Sequence, residues 1–133
     1  MLEVYSQNVE VLADSSIPLN TVVLEKGCTA VRTGNASIAL NKAGVYMVAV
    51  SASAVGAGEL SIQLEKEGIP QAQAISSATG TAATTVPLGF TTLVQVRRDN
   101  SGCCFASPTV IDIRNIGVAA TFDQIDVVVT KIC

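Results

Sequence analysis

The chain contains no histidine and no tryptophan, and only 14% of its residues are charged. Each shortage removes a class of function. Without His, neither a Ser–His–Asp nor a Cys–His nucleophile can be built within one chain. The usual zinc ligand sets shrink to one made of cysteines alone. A net charge of −3 and a pI near 4.7 argue against nucleic acid or an anionic membrane as the main partner. Long apolar runs are missing too. The longest apolar neighbourhood, Val45 to Val55, is broken by Ser51 and Ser53, far short of the ~20 residues of a membrane span. Met1 to Asn8 shows neither the basic region nor the apolar stretch of a signal peptide. The expectation is synthesis in a host cytoplasm, with any role outside the cell following lysis.

Cysteine is present but in no metal-binding spacing. Cys28, Cys103, Cys104 and Cys133 include no Cys-x-x-Cys pair. The ordinary reading is small apolar filler, which suits Cys28 and one of the adjacent pair. Cys133 differs in position and is the candidate for a thiol that links subunits once the protein meets an oxidising medium.

What the chain does have is apolar surface and β-formers. Its 133 residues are 49% hydrophobic, which excludes disorder and fits one domain. Val, Ile and Thr abound, and period-two alternation recurs. In Leu60-Ser61-Ile62-Gln63-Leu64-Glu65 the apolar residues share one face. Ile111 and Ile113 point inward, with Asp112 and Arg114 outward. Ile125, Val127 and Val129 share a face, which leaves Val128 on the opposite side with Asp126 and Thr130 and suggests that this second face is also covered. No segment carries helical apolar spacing between caps.

Turn signals at Asp14-Ser15-Ser16, Lys26-Gly27, Thr33-Gly34-Asn35, Asn41 to Gly44, Gly56-Ala57-Gly58, Glu67-Gly68, Asp99 to Gly102 and Asn115-Ile116-Gly117 divide the chain into short strands. We place them near 9–12, 20–24, 29–33, 36–40, 44–54, 59–66, 69–76, 83–97, 107–114 and 122–131. Ten strands of this length predict an all-β chain folded as an antiparallel two-sheet jelly-roll sandwich. Residues 1–16 read as an N-terminal arm and a first short strand, and 17–133 as the jelly-roll domain. Residues 1–8 are expected to be a frayed end or a docking arm. The Ala/Ser/Thr/Gln-rich stretch from Ala72 to Thr85 is either a solvent-facing edge or a strand pressed against a neighbouring subunit.

The segment Ile38-Ala39-Leu40-Asn41-Lys42-Ala43-Gly44-Val45-Tyr46-Met47-Val48 resembles a hallmark of the C1q/tumour-necrosis-factor-like jelly roll, in which a long strand opens Gly-x-Tyr-x-(apolar) after a turn. Gly44 would allow that turn, with Tyr46 and Val48 on one face and Val45 and Met47 on the other. Leu60 to Ile69, closing on Glu67-Gly68, is similar to the family's alternating hairpin, and Phe122 to Ile132 takes the place of its last strand. The lead-in Ile17 to Thr21 and the Thr/Ala-rich middle resemble the head of collagen-like exosporium glycoproteins and related phage proteins. This chain has no collagen-like stalk, and its aromatic content is 4%. The resemblance implies a homotrimer with the last strand near its axis. It nominates Tyr46, Val48, Phe122, Ile125, Val127, Val128 and Val129 as interface residues.

No chemistry stands out. None of the lysines follows a Ser-x-x-Lys pattern, and no Gly-rich phosphate loop opens a helix. Asp112, Asp123 and Asp126 are the acids available for paired-carboxylate work, but alternation turns Asp112 and Asp126 outward. Arg97-Arg98-Asp99-Asn100 reads as a charged surface turn, and Asn35-Ala36-Ser37 is a sequon without a secretory context. The expected function is non-enzymatic, with no catalytic, cofactor or metal residues: a trimeric phage capsid decoration protein or a head- or tail-fibre knob at the virion surface. The alternatives are a host-surface carbohydrate-recognition module using Gly56-Ala57-Gly58 and Asn100-Ser101-Gly102, for which no aromatic platform is present, and a spore-surface head.

Overall fold

The computed structural model describes residues 1–27, 29–97 and 109–132. Among these residues every regular element is a strand. In chain order they are β1 (Leu2–Val11), β2 (Ser15–Ser16), β3 (Thr21–Glu25), β4 (Ala30–Thr33), β5 (Ser37–Leu40), β6 (Gly44–Val55), β7 (Gly58–Lys66), β8 (Ile69–Gly80), β9 (Val86–Val96), β10 (Thr109–Asn115) and β11 (Ala120–Lys131). One sheet has the order β3-β1-β11-β6-β9. The other runs β4-β5-β10-β7-β8, with β2 paired to β10. All pairings are antiparallel.

The sheets stack because alternation gives each an apolar inner face. Leu2, Val4, Tyr46, Val48, Phe122, Ile125, Val127 and Val129 from the first sheet meet Ile38, Leu40, Leu60, Ile62, Leu64, Ile111 and Ile113 from the second. Ile17 and Leu19, fully buried although outside any strand, fill the gap where the chain crosses between sheets. The buried Ser6 hydroxyl ties that crossing down: it donates to the Pro18 carbonyl at 2.6 Å and accepts from the Asn20 amide at 2.7 Å. Asn115, also buried, does the same for one end of the sandwich. Its amide donates to the carbonyls of Val11, Leu12 and Val118, and its Oδ1 accepts the Gly117 N–H.

Most of the expected strands are found within a few residues of their predicted limits. Residues 1–8 are not an arm or a frayed end. They form most of β1, in register with β11 from Leu2↔Val129 to Val11↔Ala120. The sequence misleads there because Ser6 takes an inward position normally held by an apolar residue, and Gln7 and Asn8 follow it; Asn8 sits at φ 53°. The predicted turn at Ser15-Ser16 becomes the short pairing with β10, and β8 runs on to a buried Gly80. Glu67-Gly68 is the expected two-residue hairpin, with φ of 53° and 78°, the handedness that joins twisted strands without splaying them. Gly44 has φ 148°, open to glycine alone among ordinary residues.

Candidate assembly surface

The two outward faces carry different chemistry. On the second sheet many outward side chains are polar and partnered, beside an apolar row of Val31, Ala39 and Val110 and the exposed Ile75 opposite Gln63. Arg114 Nε meets Glu65 Oε2 at 3.0 Å, the Ser61 and Ser77 hydroxyls share a 2.7 Å hydrogen bond, and Ser16 donates to Asp112 Oδ2 at 2.6 Å. Gln63 donates to the Gln71 carbonyl. These polar groups are paired within the chain, and Ser61 and Glu65 are themselves buried.

On the first sheet the strand register sets Glu3, Val128, Ala49 and Thr91 in one outward row, Thr130, Met47 and Leu93 in the next, and Val45 beside Gln95 beyond it. Leu24 lies opposite Glu3 on the flank and is exposed, as is Leu93 at 57%. No lysine or arginine occupies an outward position of β1, β6, β9 or β11 in these rows. Contiguous apolar surface of this kind is rare on monomers and marks contact sites.

The row on the other side of Val128 holds Tyr5, Asp126, Ser51 and Gly89. Asp126 stands where the apolar part of the face gives way to a polar one containing Gln7, Gln124 and Ser53. It lines a depression of about 90 Å³ with Ser51, Ala52, Ser53 and Gln124. Its Oδ1 is buried and has no hydrogen-bond partner. Burial, and then the charge of nearby Glu3, raise its carboxyl above the usual range.

The edge next to this face is made of β8 in one sheet and β9 in the other. From Gly68 to Val96 the chain carries no charged residue, although β8 is mostly exposed and includes Ile75 at 43%. Exposed edges ordinarily carry lysines or other charges that discourage pairing with another chain. Part of the β9 edge is capped internally, since the Gly89 amide donates to the Ser76 hydroxyl at 3.1 Å. The rest is open.

Six of the seven nominated interface residues point the other way. Tyr46, Val48, Phe122, Ile125, Val127 and Val129 are at most 1% exposed, enclosed in the chain's own core. The Tyr46 hydroxyl is spent on the β5–β6 turn: it donates to the Lys42 carbonyl at 2.7 Å and accepts from the Lys42 amide. Burial raises its pKa, and the hydrogen bond to Lys42 opposes the rise. Of the nominated set only Val128 lies on the outward face. The correction follows from the inner sheet-to-sheet contact, which claims the more continuous apolar stripe of β11. Val45, Met47, Ala49 and Leu93, not nominated from the sequence, share that outward face with Val128. Their signal was the apolar character of both faces of β6, which alternation alone cannot assign.

The other candidates are dispersed. Asp112 and Asp126 belong to opposite outward faces, and Asp123, at the β11 bulge, accepts from the Thr85 hydroxyl, so Asp112 is paired across a cleft with neither of the other two. Among the described residues no cluster of three or more His, Cys, Asp or Glu could hold a metal. Gly56-Ala57-Gly58 is a tight connection packed on Leu60 and Val118. Cys28, Cys103, Cys104 and Cys133, with Arg98-Asp99-Asn100 and the loop Asn100-Ser101-Gly102, lie outside the described residues.

No family model and no curated protein matches the sequence. Solved structures do match the fold. The globular domain of a zebrafish complement 1qA protein is 8% identical, with 96% of this chain and 94% of that one covered and a TM-score of 0.67. Murine APRIL at pH 5.0 is 10% identical over 98% of both chains, with a TM-score of 0.68. The fold is a C1q/TNF-like jelly roll. PRD1 vertex protein P5 shares this jelly roll, at 15% identity over 99% of this chain and 96% of that one, with a TM-score of 0.60. At these identities the likeness concerns architecture alone. It extends through residues 1–16, so the segment read as an arm is part of the jelly roll.

Proposed function

We propose that the protein is a non-enzymatic structural component of a virion, a homotrimeric jelly roll serving as a capsid decoration protein or as the knob of a head or tail fibre. The observation that carries the reading is the pairing of two unfinished surfaces on one chain: the outward face of β1, β11, β6 and β9, and the β8–β9 edge beside it, whose strands carry no charge of their own. The occupant that suits each is a second copy. The two patches differ, so a contact between them is heterologous, and a heterologous contact that closes gives a cyclic ring. An apolar face against strands that carry no charge of their own leaves only Lys66 on the edge side, already engaged by the Gln95 carbonyl, whereas the polar groups of the second sheet are paired within the chain. Fold neighbours of the C1q and TNF type support a ring of three, and a neighbour named as a vertex protein supports the virion setting.

Multi-angle light scattering at micromolar concentration tests the assembly. The expected mass is three times the 13.7 kDa chain, and a particle of single-chain mass overturns it. Immunogold labelling of particles from the source lysate tests the setting. Label on the outer surface of virions is expected, and purified virions without label overturn it.

A further inference from the structure

Asp126, on the central strand β11, is an ionisable group within the surface that the trimer reading covers, beside Tyr5 and Glu3 of β1. We propose that it enters the subunit contact as a neutral acid, donating its proton to an acceptor on the neighbouring copy's β8–β9 edge, so that assembly takes up one proton per subunit from solvent. The inference rests on the trimer reading above.

Three structural facts converge on it. First, Oδ1 is already shut off from solvent within the lone chain and has no donor, a costly state for a charged oxygen and a milder one for a carboxylic acid. Second, among the described residues no cation faces it in the strand register. From β1 the groups facing Asp126 are Tyr5, directly opposite, and Glu3 one row away; from β6 they are Ser51 and Ser53, and Gln124 lies along β11 itself. The titratable neighbours are thus a phenol and a second carboxylate. Third, the strands proposed to arrive carry no Lys or Arg of their own between Gly68 and Val96, and Lys66 of β7, which reaches the β9 edge, is engaged there by the Gln95 carbonyl. The strands bring carbonyls, hydroxyls and carboxamides, which a protonated acid can satisfy as donor and acceptor and a carboxylate cannot. Burial and Glu3 already raise the Asp126 pKa in the free subunit, and loss of the remaining solvent raises it further.

The sign follows. Below the free-subunit pKa the acid is neutral in both states, and association is insensitive to pH. As pH climbs through that value the free subunit ionises while the assembled one stays neutral, so association weakens. The weakening ends at the higher pKa of the assembled state. In that window each subunit contributes up to about tenfold in the association constant per pH unit.

Sedimentation equilibrium of the intact protein from pH 4.5 to 8 is the test. The wild type is expected to dissociate more readily as pH rises. Asp126→Asn, whose amide keeps a donor without a charge, is expected to associate at every pH as tightly as the acid form of the wild type. Glu3→Gln is expected to keep the dependence but move it to lower pH. A trimer whose dissociation is pH-independent, or an Asp126→Asn trimer with the wild-type dependence, overturns the proton link and leaves the trimer standing. A single-chain mass at every pH and concentration overturns the trimer reading itself. Should the asparagine variant fail to fold, the wild-type series with Glu3→Gln still decides.

Discussion

The two outward faces of this sandwich are built from strands of similar length and share one core, yet they answer to different surroundings. On the face containing Arg114, Glu65, Asp112 and Ser61, polar side chains find partners within the chain. On the face containing Val45, Met47, Ala49 and Val128, apolar side chains find none, and the acid among them is left without a donor. Ser61 and Glu65 are themselves buried, so their partners keep polar groups satisfied that would otherwise be costly to enclose. The second face is the one we propose a neighbouring copy covers.

The sharpest way to break this comparison uses neighbours on one strand. Val127→Asp puts a carboxylate into the core, where Val127 is 0% exposed. It is expected to cost on the order of 4 kcal/mol or more, seen as loss of the folded baseline in chemical denaturation. Val128→Asp puts the same charge one residue along, on the outward face. It is expected to leave the circular dichroism spectrum of a folded sandwich while lowering association at least about a hundredfold, read by light scattering. If both variants unfold, the outward face is structural and the division between faces fails.

Smaller effects sharpen the other side. Arg114→Ala removes the partner of Glu65, whose side chain is only 10% exposed, and is expected to lower stability by about 1–2 kcal/mol without changing the mass in solution. Arg114 is itself a third exposed, so solvent recovers part of the loss. Ser77→Ala breaks the hydroxyl pair with Ser61 and is expected to cost about 1 kcal/mol in urea denaturation. Gln63→Lys, a charge placed on the outward face of the second sheet, is expected to change both stability and association by less than about 0.5 kcal/mol. A monomer produced by Gln63→Lys would move the contact to the wrong sheet.

Alternation made much of this architecture legible. Ile111 and Ile113 against Asp112 and Arg114, and Val127 and Val129 against Val128, point where the residues say. Glu67-Gly68 and Asn115-Ile116-Gly117 turn where glycine and short polar side chains ask for it. What escaped depends on distant partners. β1 was hidden because Ser6 occupies a core position, tolerable only with Pro18 and Asn20 folded onto its hydroxyl. Six of the nominated interface residues are core residues: β6 and β11 are apolar on both sides, and pattern cannot tell which of two apolar faces the second sheet buries. The orphaned oxygen of Asp126 exists only once β1, β6 and β11 are in register, and no local motif announces it.

The pairing of β1 with β11 has a consequence for biogenesis. β1 leaves the ribosome far ahead of the strand it needs on one side, and β6 must likewise wait for β11 to slot between them. Until then the first sheet exists as two separate halves, while the uncharged β8–β9 ribbon is already out and sticky. Closure is therefore a late, long-range event, and slow folding is the expected kinetic signature. Crowded synthesis, with many copies made at once, is when such a chain is most exposed to pairing with the wrong neighbour.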